Sequence, residues 1–149
     1  MSSIVTLEYR RGVLIAACHG DLDLAVCGQL RTALPRIGPT MPGGAGRSLP
    51  AVVCVVVDLS DVTFLDCSAL GVLVAFTRDC LAAARPPVLA APSPIVDRLF
   101  VALGFHRDFL VTATVDEAVE LGRQRAGVAD TTAAAAGRWP ALVALRADR

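Results

Sequence analysis

The stretch from Val52 to Leu73, VVCVVVDLSDVTFLDCSALGVL, constrains this chain more than any other. From Val52 to Val57 it is apolar and mostly β-branched, without the in-out alternation of a strand that has one wet face. Such a run predicts a central strand covered on both sides. Asp58 ends the run, and Leu59 to Thr63 is expected to form a polar turn leading to Phe64 and Leu65. Asp66 then precedes a pattern in which Leu70, Leu73, Val74, Thr77 and Leu81 recur at helical spacing, which places it at a helix N-cap. The turn is pinned at both ends, and candidate functional residues are sought around it.

The rest of the chain supplies partners for that strand. Ile4 to Tyr9 and Val13 to Cys18 predict two short strands, and the Arg10-Arg11-Gly12 break between them predicts a hairpin. His19 to Asp23 reads as a polar loop. Leu24, Cys27, Leu30, Arg31 and Leu34 then fall at helical spacing, with Asp23 as N-cap and Pro35 as the stop. Gly38 to Pro50 holds four Gly and three Pro and reads as an inserted surface loop. A second helix ends near Arg85-Pro86-Pro87, and Val88 to Ala91 predicts a strand. Ser93 and Pro94 open a third helix that Gly104 closes. Phe109 to Thr112 predicts the last strand, followed by a helix from Thr114 or Val115 through Leu121. The domain is expected to occupy residues 1–122. The Ala-rich remainder, 123–149, reads as a flexible tail in which Trp139, Leu142, Val143 and Leu145 offer a secondary docking element.

Composition narrows the function classes. With 54% hydrophobic and 19% charged residues over 149 positions, one substantial core is expected and global disorder is not. The 14 basic and 14 acidic residues balance and no basic run occurs, so nucleic acid is not an expected partner. Five cysteines without a CxxC pair and two histidines complete no metal-ligand spacing, which predicts a reduced, cytoplasmic chain without metal or cofactor. No basic-then-apolar leader opens the sequence and no apolar stretch approaches the roughly 20 residues that span a bilayer, so no membrane association is expected.

The segment DLSDVTFLDCSALGVLVAF resembles the central motif of STAS domains found in bacterial anti-sigma-factor antagonists. That motif runs from an Asp-Leu-Ser strand end through a Phe to Asp-Ser-Ser/Thr-Gly-Leu-Gly at the start of a helix. His19-Gly20-Asp21-Leu22-Asp23 is similar to the family's Gly-Glu-Leu-Asp loop. Ser93 to Phe100 and Leu103-Gly104-Phe105 are similar to its later helix and exit. The resemblance spans nearly all of Val5 to Leu121. It implies a single α/β domain of STAS type, with a mixed sheet of about five strands and about four helices. It also implies a non-enzymatic function, the capture of an anti-sigma factor of the ATP-binding, serine-kinase-like class so that a sigma factor is released for transcription. In the family that partner phosphorylates the antagonist on serine and a phosphatase restores it.

One departure bears on the switch. The family's phosphorylated serine directly follows the aspartate, and here that position is Cys67, a thiol that protein kinases do not phosphorylate; Ala69 replaces the usual glycine. Ser68, matching the neighbouring Ser/Thr position, becomes the candidate acceptor. The resemblance puts Asp21, Asp23, Ser60, Asp61 and Thr63 beside Asp66, Cys67 and Ser68 on a partner-binding face, and Val72 and Phe76, four apart on the following helix, are expected to add an apolar contact patch.

Other functions are open to the same residues. A STAS module of a stress-signalling scaffold or a transport complex needs no sigma factor. A redox sensor at Cys67 draws on the helix N-terminus, which favours thiolate, against the opposing charge of Asp66. A Cys-His enzyme would pair Cys67 with His19 or His106 but lacks an orienting third group at a recognisable spacing. A phosphoacceptor role for Asp58 in a receiver-type fold would want a late lysine, and the chain has none.

Overall fold

The computed structural model describes residues 3–37 and 52–132. Strands β1 (Val5–Arg10) and β2 (Val13–Leu22) pair antiparallel, with Val5 opposite Cys18 and Arg10 opposite Val13. The two residues between them, Arg11 and Gly12, have φ of 52° and 86°. Positive φ at both positions is what a two-residue hairpin turn matched to the strand twist requires. A 3-10 turn at Leu24–Val26 leads into α1 (Cys27–Ala33). Then follow β3 (Cys54–Leu65), α2 (Cys67–Ala82), β4 (Pro87–Ala90), α3 (Pro94–Leu103), the single turn α4 (Phe105–Asp108), β5 (Leu110–Thr112) and α5 (Val115–Thr132). The sheet order is β1-β2-β3-β4-β5, with every pair after the hairpin parallel. This is the expected α/β domain with a mixed five-stranded sheet.

Why the Val52–Val57 run is unbroken becomes plain from the two layers it feeds. Val55 and Val57 join Leu30, Leu73, Phe76 and Phe100 in the core beneath α1, α2 and α3. Cys54 and Val56 join Val13, Ile15, Val88 and Ala90 beneath Ala118 and Val119 of α5. Neither face of the strand meets water there, so neither selects polar residues.

Three expectations are corrected. The polar turn at Leu59–Thr63 and the polar loop at His19–Asp23 are mostly strand, because β3 runs on to Leu65 and β2 to Leu22. Beyond Asp58 the two strands continue to pair, His19 with Asp61 and Asp21 with Phe64, with register shifts on either side of His19-Gly20. The α5-side core reaches no further than Ile15 on β2 and Val56 on β3, so this extension has one open face and carries polar residues on it. The helix expected to start at Leu24 begins as a 3-10 turn, and Asp23 makes no side-chain cap bond. Finally, α5 continues past Gly122, where the tail was expected to begin. A helical glycine costs about 1 kcal/mol and reads as a stop, but here it packs directly on Cys54. The Gly38–Pro50 loop and the segment containing Trp139, Leu142, Val143 and Leu145 lie outside the described residues.

Candidate functional site

The end of β3 delivers Asp66, whose backbone is extended (φ −97°, ψ 174°) and whose N–H donates to Leu22 O at 3.1 Å. Its Oδ1 accepts the Ala69 N–H at 2.9 Å, the N-cap bond expected from the sequence. Its Oδ2 accepts the Leu24 N–H at 2.9 Å, which the sequence did not announce. One carboxylate thus ties the start of α2 to the exit of β2. Cys67 and Ser68, the first two helical residues, are exposed, and neither side chain has a hydrogen-bond partner among the described residues.

Below them lies the open face of the strand extension. Thr63 Oγ1 donates to Asp21 Oδ1 at 2.5 Å, across the β2–β3 pair. His19 bridges three strands, with Nδ1 3.1 Å from Asp61 Oδ2 and Nε2 2.8 Å from Thr6 Oγ1. The Ser60 N–H donates to Asp58 Oδ1. Asp21, Ser60, Asp61 and Thr63 are therefore exposed and share one end of the sheet with Asp66, Cys67 and Ser68. Asp23 is half-buried, and its Oδ1 has no hydrogen-bond partner among the described residues.

Val72 and Phe76 do not belong to this surface. They are 6% and 5% exposed and sit in the core, which corrects the expected contact patch. The buried residues of α2 are Ala69, Leu70, Val72, Leu73, Phe76, Thr77 and Cys80. Leu70, Leu73 and Thr77 are buried as the spacing predicts, and Ala69, Val72, Phe76 and Cys80 widen the stripe because the helix is apolar nearly all round. Its place on the surface is taken by two side chains that the sequence does not assign to a contact face, Leu24 at 72% and Phe64 at 46% exposure. Strand alternation gives no usable signal for Phe64, because the core positions Val62 and Leu65 lie three apart and point to opposite parities.

The cysteines divide sharply. Cys67 is exposed, and Cys18, Cys27, Cys54 and Cys80 are buried; all five are free thiols. Burial pushes Cys18 and Cys54 up to about 12, Cys18 with help from the nearby Asp58 charge, and pushes Cys80 up as well. Among the described residues no group of three or more His, Cys, Asp or Glu is arranged to hold a metal ion, and no helix is long and apolar enough to cross a membrane.

The sequence pattern of the STAS domain matches residues 5–118. This chain belongs to the STAS domain family. Among solved structures, this STAS domain is similar to an anti-sigma factor antagonist from Mycobacterium paratuberculosis, at 23% identity and a TM-score of 0.65 over 80% of this chain and 92% of the other. It is similar to the unphosphorylated anti-sigma factor antagonist SpoIIAA at 25% identity and a TM-score of 0.58, over 80% and 96% of the two chains. A sulfate transporter family protein from Wolinella succinogenes shares the fold at 16% identity and a TM-score of 0.59, over 77% and 88%. No curated protein sequence matches the STAS domain described here.

Proposed function

We propose that this STAS domain is an anti-sigma-factor antagonist, which binds an anti-sigma factor of the ATP-binding, serine-kinase-like class and so frees a sigma factor for transcription. It acts by binding rather than by catalysis. The fold does not choose this role, since a transporter family protein shares it. The observation that carries the reading is the first turn of α2, where Cys67 and Ser68 stand exposed beside the Asp66 clamp at the sheet end that bears Asp21, Asp23, Ser60, Asp61 and Thr63. The likeness to SpoIIAA supports it, and that protein exists in unphosphorylated and phosphorylated forms.

Ser68 is the acceptor in this reading. Its hydroxyl is accessible and makes no competing bond among the described residues. A phosphate there lies beside the unpaired N–H groups of the first helical turn, so its own chain tolerates it. It adds about −1.5 to −2 charge next to Asp66 at the surface where the partner docks. Phosphorylation by the partner turns binding off, and a serine phosphatase restores it.

The test mixes the full-length protein with kinase-like anti-sigma factors from the same genome, ATP and Mg²⁺, following complex formation and intact mass. The expected result is a complex and a single added phosphate, lost in Ser68→Ala. A complex that forms without any added phosphate removes the switch and leaves an antagonist held permanently active by Cys67. Absence of a complex with every candidate refutes the antagonist reading and favours a STAS scaffold module without a sigma factor.

A further inference from the structure

We infer that Leu24 and Phe64 are the apolar anchors of a docking face whose partner surface is basic, an apolar socket set among Arg or Lys side chains. The inference deepens the antagonist reading, which puts a partner at this end of the sheet, by naming the chemistry that the partner must present.

The apolar half of the argument is positional. A single exposed Leu needs no explanation. Here two large apolar side chains, 72% and 46% exposed, flank the same carboxylate. The Leu24 backbone is held by Asp66 Oδ2 at 2.9 Å, and Phe64 lies two residues before Asp66 on β3, opposite Asp21. Both are therefore presented from fixed backbone. Their backbone is already ordered, so binding has only their side chains to immobilise.

The electrostatic half is a matter of segregation. The chain is neutral overall, yet residues 19–26 and 58–70 hold five Asp and no Arg, and there is no Lys anywhere. Of these five, Asp61 alone lies against a group that can be cationic among the described residues, His19. Asp21, Asp58 and Asp66 are met by neutral donors, Thr63 Oγ1 and backbone N–H groups, which bring no positive charge to them. An acidic rim around apolar anchors attracts and orients a basic surface and repels a second copy of this chain. Two of the other exposed apolar side chains differ in sign: Ile95 and Val101 on α3 lie three residues either side of exposed Arg98, which has no partner among the described residues.

The test uses two probes, an amphipathic helical peptide of Lys and Leu and its Glu and Leu counterpart, titrated into the full-length ¹⁵N-labelled protein. The expected result is binding of the Lys/Leu peptide alone, with amide shifts centred on Leu24, Phe64 and Cys67. Affinity should fall about ten-fold or more in Leu24→Ser and in Phe64→Ser, fall with added salt, and stay unchanged in Val101→Ser. Spectral dispersion verifies that each variant is folded. Failure of the Lys/Leu peptide to bind, equal binding of the Glu/Leu peptide, shifts centred on α3 or Leu7, or unaltered affinity in both anchor variants overturns the inference. If kinase-like anti-sigma factors fail to bind while the Lys/Leu peptide docks at Leu24 and Phe64, the antagonist reading falls and the docking face stands. If an anti-sigma factor binds both anchor variants as tightly as wild type, the docking face falls and the antagonist reading stands.

Discussion

The carboxylate of Asp66 accepts the backbone N–H of Leu24, 42 residues away in sequence, at 2.9 Å, with the oxygen that the helix cap leaves free. Capping the first turn of α2 and holding the β2 exit are thus the work of one side chain. The exposed apolar Leu24 and the exposed Cys67 and Ser68 are consequently fixed relative to one another.

Asp66→Ala removes both bonds. An N-cap is worth about 1 kcal/mol and a hydrogen bond to a charged group about 1.5–3 kcal/mol. For this partly exposed carboxylate a loss of roughly 2 kcal/mol in urea denaturation is expected, with Asp66→Asn losing less. Amide hydrogen exchange should accelerate at Leu24 as well as at Ala69. Acceleration confined to Ala69 would show that the long-range tether contributes nothing.

How much of this was legible in the sequence depends on whether the signal was local. The Val52–Val57 strand, the Asp66 cap and the Gly104 stop, whose φ is 73°, are written in adjacent residues. The STAS resemblance likewise rests on contiguous motifs, and it brought Asp21, Asp61, Thr63, Cys67 and Ser68 to one end of the sheet. What was lost depends on what lies across from a residue. His19 to Leu22 and Leu59 to Leu65 carry turn-like composition, yet they pair as strands because only one face is covered there. Val72 and Phe76 went to the wrong side of α2 because a helix that is apolar nearly all round gives no sharp phase. Leu24 fits the first position of an amphipathic helix face, and nothing in its neighbours says that a carboxylate 42 residues on holds it at the surface.

Gly122 offers a test of the α5 packing. In an exposed helix Gly→Ala stabilises by up to about 1 kcal/mol. Here a Cβ would stand 2.1 Å from Cys54 Sγ, inside the core. Overpacking costs about 1–3 kcal/mol, so Gly122→Ala should destabilise despite its better propensity. The double variant with Cys54→Ala, which removes the sulfur, should recover part of the loss. A stabilised Gly122→Ala single variant would mean that α5 does not pack on β3 at this point.

Stability should fall in alkali. Cys18 and Cys54 are raised from an ordinary value of 9.0 to about 12 by burial. Between those values the unfolded chain releases thiol protons that the folded chain retains, so unfolding is increasingly favoured as pH rises. The contribution is fully present below about pH 9 and declines towards pH 12, with a slope approaching 1.4 kcal/mol per pH unit for each thiol. Urea midpoints at pH 8 and pH 10.5 measure the decline, and Cys18→Ala should flatten it. An unchanged midpoint across that range would contradict the burial of these thiols.

Cys67 stands apart from the other four cysteines by exposure alone. Iodoacetamide at neutral pH should therefore add one label to the native protein, at Cys67, and five after denaturation. Selective labelling does not by itself make Cys67 a sensor, because accessibility accounts for it. The decisive comparison is functional. Mild peroxide, followed by the anti-sigma-factor binding assay, should leave affinity unchanged if the thiol is a passive replacement for the family's acceptor serine. A loss of binding that dithiothreitol reverses, absent in Cys67→Ala, would instead make this position a redox switch.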